Sequence, residues 1–421
     1  MKVDSDNYTL ADFLQSENGD IFAKAKAFSD FLSDWKDKGT YSYHRLVTSA
    51  CTTGTTIRDR ATNHEKAMIV LASNNYLGLN MRPEIILAAQ NAAAQYGTGM
   101  CGSRFLSGTY DLIEELERQL AEFESCEDAM VFTSGYQANV GTISALMRPK
   151  DMAFIDRLCH ASIVDGCRLA GCKFRTFKHN DMNSLSNLLA KSDGKCKGKL
   201  IIAEGVFSMD GDTAPLPEIT KLAEKYGAKV MVDEAHATGV LGPNGRGTVE
   251  HFDLHGKIDV ILGTFSKTLS ATGGFIAASR EVINYVRHYG RSYMFSASPT
   301  PSVVATVLTA LHIVRREPWL RKQLWDNIKY LHRELKGCGF SISPDPAESA
   351  IITILVGSDT TVRRMSKKIY EKGLFTNTVA YPAVPQNQGK IRLSVSAIHT
   401  HDQLDKAVEI LSTAGKEYGI V

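Results

Sequence analysis

Short apolar runs alternate with helical patterns along most of the chain, and this alternation predicts an α/β fold. Runs such as KVMV at 229–232 are followed or preceded by stretches with apolar residues three or four positions apart, such as DLIEELERQLAEFE at 111–124. Continuous apolar runs are typical of strands buried on both faces of a parallel sheet. One connecting helix is predicted to begin near Pro215 and to end at Gly227.

Chemically versatile residues follow two of the predicted strands. Asp233 and His236 come directly after the run at 229–232, and Lys267 follows the run IDVILG at 258–263. Open α/β sheets bind ligands at the carboxyl ends of their strands. A carboxylate, an imidazole and an amine are therefore expected to converge at one edge of the sheet.

This combination of groups suits pyridoxal phosphate. The Lys267 amine could form a Schiff base with the cofactor aldehyde, while a buried Asp233 would keep the pyridine nitrogen protonated. His236 would reach the phenolic oxygen. The alternative is an ordinary ion pair between Asp233 and Lys267. The tetrapeptide DEAH also occurs in helicases, but no GxxxxGK[ST] loop precedes it here, and TFSK at the next strand end favours the cofactor.

The segments VDEAHATGVLGPNGRG at 232–247 and GTFSKTLSATGGF at 263–275 resemble the α-oxoamine synthases. These are fold-type I pyridoxal phosphate enzymes, and the resemblance extends from about Tyr41 to the C-terminus. It implies a pyridoxal phosphate-dependent transferase fold of type I, with a mostly parallel seven-stranded sheet in the large domain, a small C-terminal α/β domain and an N-terminal arm. It also implies a homodimer with shared active sites.

The expected domains are an N-terminal arm with a small hairpin (1–64), a large cofactor-binding domain (65–303) and a small α/β domain (304–421). The arm shows helical spacing of large apolar residues up to Trp35 and is expected to pack on a partner subunit. A frayed tail is the alternative, but the arm has many aromatic residues for a disordered segment. The hairpin is expected at 52–63.

The resemblance also implies roles for individual residues. Lys267, His160, Asp233 and His236 are expected to be catalytic. Substrate contacts are expected from Asn75 and Arg392, which would bind the carboxylate, and from Arg45 near the acyl thioester. The expected cofactor contacts are Ser134, Gly135, Tyr136, His160, Ser208, Asp233, His236, Thr264, Ser266, Lys267 and, from the partner subunit, Ser296.

Each assignment has a structural alternative. Ser134 could be only a helix cap, and the pair Asn74–Asn75 could be only a turn. A lone histidine such as His160 is more often structural than catalytic, and Arg392 could be a surface residue on a strand.

The substrate signals disagree. GSRFLSGT at 102–109 and FSASPTPSVVAT at 295–306 resemble serine palmitoyltransferases, which favours L-serine and a long-chain acyl thioester and gives a 3-ketosphinganine-like product in sphingolipid biosynthesis. YPAVP at 381–385 is closer to 2-amino-3-ketobutyrate CoA ligases, which use glycine and acetyl-CoA. Alanine with a fatty acyl thioester, plain transamination and a non-catalytic partner subunit are further alternatives. The acyl donor could be acyl-CoA or an acyl carrier protein.

Composition narrows the remaining possibilities. The 48 basic and 46 acidic residues give a net charge of +2, which provides no reason to expect nucleic acid as a partner. The eight cysteines lack CxxC pairs and suit reduced thiols rather than disulfides or a metal site. The N-terminus has no signal-like apolar segment, and the apolar stretch 301–314 is too short to span a bilayer. We therefore predict a cytoplasmic protein without a transmembrane segment, with 301–314 as a core helix.

Overall fold

The computed structural model describes residues 4–15, 20–60 and 62–421. Short 3-10 helices cover Ser5–Asn7, Leu10–Phe13 and Leu79–Met81. The strands are β1 (Leu46–Val47), β2 (Gly54–Arg58), β3 (Glu65–Val70), β4 (Asp128–Phe132), β5 (Met152–Asp156), β6 (Lys173–Phe177), β7 (Lys199–Glu204), β8 (Lys229–Asp233), β9 (Val260–Thr264), β10 (Gly274–Ala278), β11 (Ile342–Ser343), β12 (Ile351–Gly357), β13 (Leu374–Phe375), β14 (Asn377–Val379) and β15 (Gly389–Ser394). The helices are α1 (Ala23–Asp37), α2 (Pro83–Tyr96), α3 (Asp111–Glu124), α4 (Gly135–Leu146), α5 (Ala161–Ala170), α6 (Met182–Ser192), α7 (Leu216–Tyr226), α8 (Thr248–His251), α9 (Arg280–Tyr289), α10 (Arg291–Met294), α11 (Pro301–Arg316), α12 (Trp319–Gly337), α13 (Asp359–Glu371) and α14 (His401–Glu417).

The chain forms two compact units. The first comprises the described residues up to Ser73, together with Met209–Gly211 and Trp325–Val421, and the second comprises Asn74–Ser208 and Asp212–Leu324. These boundaries differ from the expected divisions at 64/65 and 303/304. The reason is that β3 pairs with β2 and β13 in the first unit, while α11 packs against α2 and α3 in the second.

The second unit contains a seven-stranded sheet in the order β4-β10-β9-β8-β7-β5-β6. β10 is antiparallel to both of its neighbours, and the remaining strands are parallel to one another. This confirms the predicted mostly parallel, seven-stranded sheet. The carboxyl ends of β5, β7, β8 and β9 therefore meet at one edge, where Glu204 lies beside Asp233 in register.

Both faces of this sheet are covered by helices, which explains the unbroken apolar runs. In β7, Ile202 packs in a cluster with residues of α4 and α5, while Ile201 packs in a cluster with residues of α6 and α7. Neither isoleucine is exposed. Full burial of such a side chain stabilises the fold by about 1.5–3 kcal/mol.

Two helices of this unit agree with their sequence signals. α7 ends at Gly227, whose φ of 61° lies in the left-handed region that glycine adopts easily. α11 begins with Pro301 and buries its apolar face, so the predicted core helix is confirmed.

The first unit contains two four-stranded sheets, in the orders β1-β2-β3-β13 and β11-β12-β15-β14. A hairpin is present but extends beyond the expected 52–63, because β2 pairs antiparallel with β3, which runs to Val70, and also with β1. In the arm, Phe31 and Trp35 are buried with ring centroids 5.3 Å apart, whereas Leu14 and Phe22 are exposed.

Within the described residues, no helix is both long enough and apolar enough to cross a membrane. The same part of the chain contains no cluster of histidine, cysteine or acidic side chains that could hold a metal ion.

Candidate active site

A cavity of about 350 Å³ lies within the second unit, at the carboxyl ends of β4, β5, β7, β8 and β9. It is lined by Ser134, Gly135, Tyr136, Asn139, His160, Ser162, Glu204, Ser208, Asp233, Ala235, His236, Leu262, Thr264, Ser266 and Lys267. The structure thus brings together every residue predicted to contact the cofactor except Ser296.

The N-terminus of α4 forms one wall of the cavity. Ser134 caps the helix by accepting a hydrogen bond from the Gln137 N–H at 3.1 Å. A Cβ added to Gly135 would lie 3.0 Å from Thr264 Oγ1, so this close approach favours glycine. The Ser266 hydroxyl lies 3.0 Å from Thr264 Oγ1. Unpaired first-turn N–H groups together with hydroxyls make a site for an anion such as a phosphate.

Asp233 provides a buried carboxylate in the same cavity. Its Oδ1 accepts a hydrogen bond from the Ala235 N–H at 3.0 Å, and its Oδ2 accepts one from Asn139 Nδ2 at 2.8 Å. Only 5% of the residue is exposed. A carboxylate fixed in this way is suited to hold a protonated ring nitrogen.

His160 is connected to Asp233 by a chain of hydrogen bonds. Its Nδ1 lies 2.7 Å from Ser162 Oγ, and Asn139 Nδ2 donates both to Ser162 Oγ at 3.0 Å and to Asp233. The Ser162 N–H also points at His160 Nδ1, at 3.3 Å. Because two donors face Nδ1, this nitrogen accepts, and the proton of the neutral ring is assigned to Nε2.

The other two catalytic candidates line the same cavity. His236 is 6% exposed, and its Nδ1 lies 2.7 Å from the hydroxyl of the fully buried Tyr76. Lys267 follows β9 and is partly exposed. The rings of Tyr136 and His160 are nearly perpendicular, with centroids 6.5 Å apart, and Tyr136 donates its hydroxyl hydrogen to Asp165.

Sequence reasoning missed three polar residues that line the cavity, namely Asn139, Ser162 and Glu204. Glu204 ends the apolar run of β7 in the same way as Asp233 ends that of β8, so the same signal could have found it. Burial, reinforced by the charge of Asp233, raises the pKa of Glu204 to about 8.

Glu234 has a structural role although it follows Asp233 at the sheet edge. Its carboxylate accepts hydrogen bonds from the Thr248 N–H at 3.0 Å, the Thr248 hydroxyl at 2.7 Å and the Val249 N–H at 2.8 Å. These bonds satisfy N–H groups at the start of α8. Burial raises the pKa of Glu234 to about 7.

Four predicted site residues lie elsewhere. Ser296 accepts a hydrogen bond from Gln137 Nε2 at 3.2 Å and does not line the cavity. Asn75 is 9% exposed, and its amide donates to Asn80 Oδ1 at 2.7 Å. Arg392, which is 5% exposed on β15, and Arg45, which stacks over a tyrosine ring of α13, belong to the first unit.

The residues present fit pyridoxal phosphate. Lys267 offers an amine for the aldehyde and Asp233 a carboxylate for the ring nitrogen, while the N-terminus of α4 with Thr264 and Ser266 offers donors for the phosphate. The close approach of Gly135 to Thr264 leaves backbone rather than a side chain at this wall.

Comparison with known proteins supports this assignment. Residues 66–411 match the family model described as aminotransferase class I and II. The chain is 43% identical over 380 residues to a serine palmitoyltransferase of Sphingobacterium spiritivorum, covering 90% of this chain and 93% of that protein. It is 43% identical over 356 residues to an 8-amino-7-oxononanoate synthase of Thermoanaerobacter pseudethanolicus, covering 85% and 90%.

A third relative is longer. The chain is 41% identical over 415 residues to PigH, a 4-hydroxy-2,2'-bipyrrole-5-methanol synthase of Serratia, but 99% of this chain corresponds to only 63% of that protein. Among solved structures, SPT with the PLP internal aldimine has a TM-score of 0.91 and 35% identity, covering 96% of this chain and 100% of that one.

The family match covers most of the chain, the relatives align over nearly their full lengths in two of these cases, and the structural neighbour carries the cofactor that the cavity fits. The chain therefore belongs to the aminotransferase class I and II family and, within it, to the α-oxoamine synthases, whose cofactor is pyridoxal 5'-phosphate.

Proposed function

We propose that the chain condenses L-serine with a long-chain acyl thioester, releasing CO₂ and a free thiol and giving a 3-ketosphinganine-like α-amino ketone. The convergence of Lys267, Asp233 and His160 in one cavity carries the proposal, because it supplies an amine, a ring-nitrogen partner and an imidazole N–H at one place. The serine palmitoyltransferase relative and structural neighbour, together with GSRFLSGT and FSASPTPSVVAT, favour serine and a long acyl chain.

Each residue has a proposed task. When bound, pyridoxal phosphate withdraws electrons from the α-carbon of an attached amino acid, which makes loss of the α-proton and of the carboxyl group feasible. Lys267 removes the α-proton. Arg392 and Asn75 hold the substrate carboxylate, and a guanidinium can do so through two hydrogen bonds. Arg45 is proposed to act near the thioester.

His160 is proposed to stack on the ring and to donate Nε2–H to the substrate carboxylate. His236 and Ser208 are proposed to contact the phenolic oxygen of the ring. The new carbon–carbon bond joins the α-carbon to the thioester carbonyl, the carbon–sulfur bond breaks to release the thiol, and the carboxyl group leaves as CO₂. The electron pair left at the α-carbon then takes up a proton.

Replacing Ser162 with Ala tests the assigned tautomer of His160. The variant loses the hydroxyl donor to Nδ1 and is expected to bind L-serine about two- to tenfold more weakly, because one hydrogen bond contributes about 0.5–1.5 kcal/mol. Spectral titration of the cofactor-loaded protein measures this. Ser144→Ala on α4 is the control, since the Ser144 hydroxyl donates to the Gly141 carbonyl and Ser144 does not line the cavity. Equal affinities in both variants would remove Ser162 from the proposal.

We also propose a homodimer. An antiparallel bridge between Ser103 and Ala297 sets the glycine-rich loop between α2 and α3 (residues 97–110) beside the segment that follows α10, and these two segments expose 82% of Leu106 and 71% of Phe295. Large exposed apolar groups on neighbouring segments mark a candidate interface between protein chains. Ser296 lies in the same surface, which supports its expected contact with the cofactor bound by the partner subunit.

Replacing Leu106 with Glu is expected to convert the dimer to monomers at micromolar concentration, because it would place a charge in a desolvated interface. Light scattering after gel filtration measures the mass. Leu169→Glu is the control, since Leu169 is 62% exposed on α5, outside the loop. A wild-type monomer, or a Leu106→Glu dimer, would contradict the proposal.

Three alternatives within the family have specific support. The 8-amino-7-oxononanoate synthase relative is as similar as the serine palmitoyltransferase, and YPAVP favours glycine with acetyl-CoA. PigH is a bipyrrole-methanol synthase, and this methanol group matches the hydroxymethyl group that serine would retain, so serine with a heteroaromatic acyl thioester is the third alternative.

The test compares substrates directly. Cofactor-loaded protein is titrated with L-serine, glycine and L-alanine, and each mixture then receives palmitoyl-CoA, acetyl-CoA or a palmitoyl-loaded acyl carrier protein while thiol release is followed. Serine with a palmitoyl donor should turn over at least about tenfold faster than the other pairs, by kcat/KM. Faster turnover of glycine with acetyl-CoA would replace the proposal. Amino-group transfer to a keto acid without thiol release would indicate a transaminase.

A further inference from the structure

Glu204 is a second buried carboxyl group in a cavity that needs only one. It ends β7 directly beside Asp233 at the end of β8, and only 3% of it is exposed. It lines the same cavity as Asp233 and Lys267. Two ionised carboxylates side by side in a buried site would repel each other.

The hydrogen bonds of Glu204 point to His160 rather than to the reacting amine. Its Oε1 accepts a hydrogen bond from the backbone N–H of His160, the residue that caps α5, and the backbone N–H of Ser208 also faces it. The His160 side chain is held separately by Ser162. The stacking residue is therefore fixed at two points, its backbone by Glu204 and its ring by Ser162.

We propose that Glu204 is a positioning residue that works as a neutral carboxylic acid, holding the start of α5 and leaving Asp233 as the single anion among the residues that line the cavity. The chemical reason is that a second negative charge in the cavity would interact with the same two groups as Asp233 and the cofactor do. A neutral Glu204 neither competes with the cofactor for the Lys267 amine nor adds a second negative charge beside the ring nitrogen that Asp233 serves. This inference rests on the proposed roles of Asp233 and His160 but not on the identity of either substrate.

The surroundings of Glu204 agree with a neutral group. The charged or titratable groups beside it are Asp233, Lys267 and Cys159, with His160 lining the same cavity. Burial and then Asp233 raise the pKa of Glu204 to about 8, although the His160 N–H, the Lys267 charge and the Ser208 N–H oppose the rise. Because the ordinary value is 4.5, the native site keeps a proton that an unfolded chain would release, and it loses this proton as the pH rises through about 8.

Infrared spectroscopy of the cofactor-free protein tests the protonation directly. At about pH 6.5 the carbonyl stretch of a protonated carboxylic acid should be present, should weaken as the pH rises through about 8, and should lose that component in Glu204→Gln. Glu281→Gln is the control, because Glu281 is exposed in the first turn of α9 and its own backbone N–H lowers its pKa. If Glu204→Gln removes no such component at about pH 6.5, Glu204 is ionised and the proposal is overturned.

Cofactor affinity tests the positioning role. Gln resembles the neutral acid and can still accept from the His160 N–H, whereas Ala leaves that buried donor unpaired. Glu204→Gln should therefore bind pyridoxal phosphate at least about tenfold more tightly than Glu204→Ala at pH 7. Equal losses in both variants would overturn the role. If Glu204→Ala does not fold, the proposal is accepted or rejected on the infrared result for Glu204→Gln alone. Failure of the serine proposal would appear only in the substrate comparison.

Discussion

Replacing Lys267 with Ala is expected to abolish the visible absorption of bound pyridoxal phosphate after dialysis. Lys267 is the lysine that lines the cavity, and it follows β9 at the sheet edge beside Asp233. Without its amine the cofactor has no covalent attachment and the α-proton has no base. Because a positioned base contributes about 10²–10⁴-fold, turnover should fall by at least that factor.

Lys229→Ala is the matched control for this experiment. Lys229 lies at the start of β8, its side chain is 74% exposed, and it pairs only with Asp259 among the described residues. Such a surface pair contributes about 0–1 kcal/mol, so this variant should remain yellow and active. A Lys267→Ala protein that stays yellow after dialysis would show that another lysine holds the cofactor.

Replacing Asp233 with Asn is expected to keep the fold and to lower kcat/KM by about 10²–10³-fold, because an amide cannot hold the ring nitrogen protonated. In the variant an NH₂ group replaces one carboxylate oxygen. The side chain can therefore accept a hydrogen bond from the Ala235 N–H or from Asn139 Nδ2, but not from both. The loss of one buried hydrogen bond should reduce the free energy of unfolding by about 1–3 kcal/mol. Steady-state kinetics and thermal unfolding measure the two effects.

Asp259→Asn is the matched control, because it removes a carboxylate from the same sheet at a position that cannot contact the cofactor ring. Asp259 precedes β9 at the opposite end of the strand, where it accepts hydrogen bonds from Lys229 Nζ at 2.7 Å and from the Val230 N–H at 2.8 Å. Its replacement should change kcat/KM little. Similar kcat/KM values for Asp233→Asn and the wild type would remove Asp233 from the ring-nitrogen role.

The central sheet was predictable because its strands are buried on both faces. Ile201 and Ile202 both lie in apolar clusters, so the run that contains them has no polar interruption. The unit boundaries were not predictable in the same way. The two-residue strand β13 pairs with Ile69 and Val70 of β3, about three hundred positions away, and carries no local signal of that pairing.

The site could be predicted only in part, because residues in similar local sequence patterns have different structural roles. Asp233, Glu234 and Glu204 all lie at the carboxyl ends of apolar runs, yet Glu234 caps α8 while Asp233 and Glu204 line the cavity. Asn139 lies within α4, and nothing in its neighbourhood in the sequence indicates that it reaches Asp233. Only the packing of separate elements decides these outcomes.

The predicted roles of Ser296 and Arg392 concern residues that do not line the cavity. Ser296 lies on the surface proposed to meet a second copy, and Arg392 belongs to the first unit. Their assignments, the homodimer and the cytoplasmic location stay predictions.

The most direct test of the central claim follows the carboxyl carbon of serine. Cofactor-loaded protein is mixed with L-serine labelled with ¹³C at the carboxyl carbon and with palmitoyl-CoA, and labelled CO₂ and free CoA are measured together. The proposal predicts equal amounts of both, with no labelled CO₂ when the thioester is omitted. Retention of the label in a keto acid, or CoA release without labelled CO₂, would contradict decarboxylative condensation of serine.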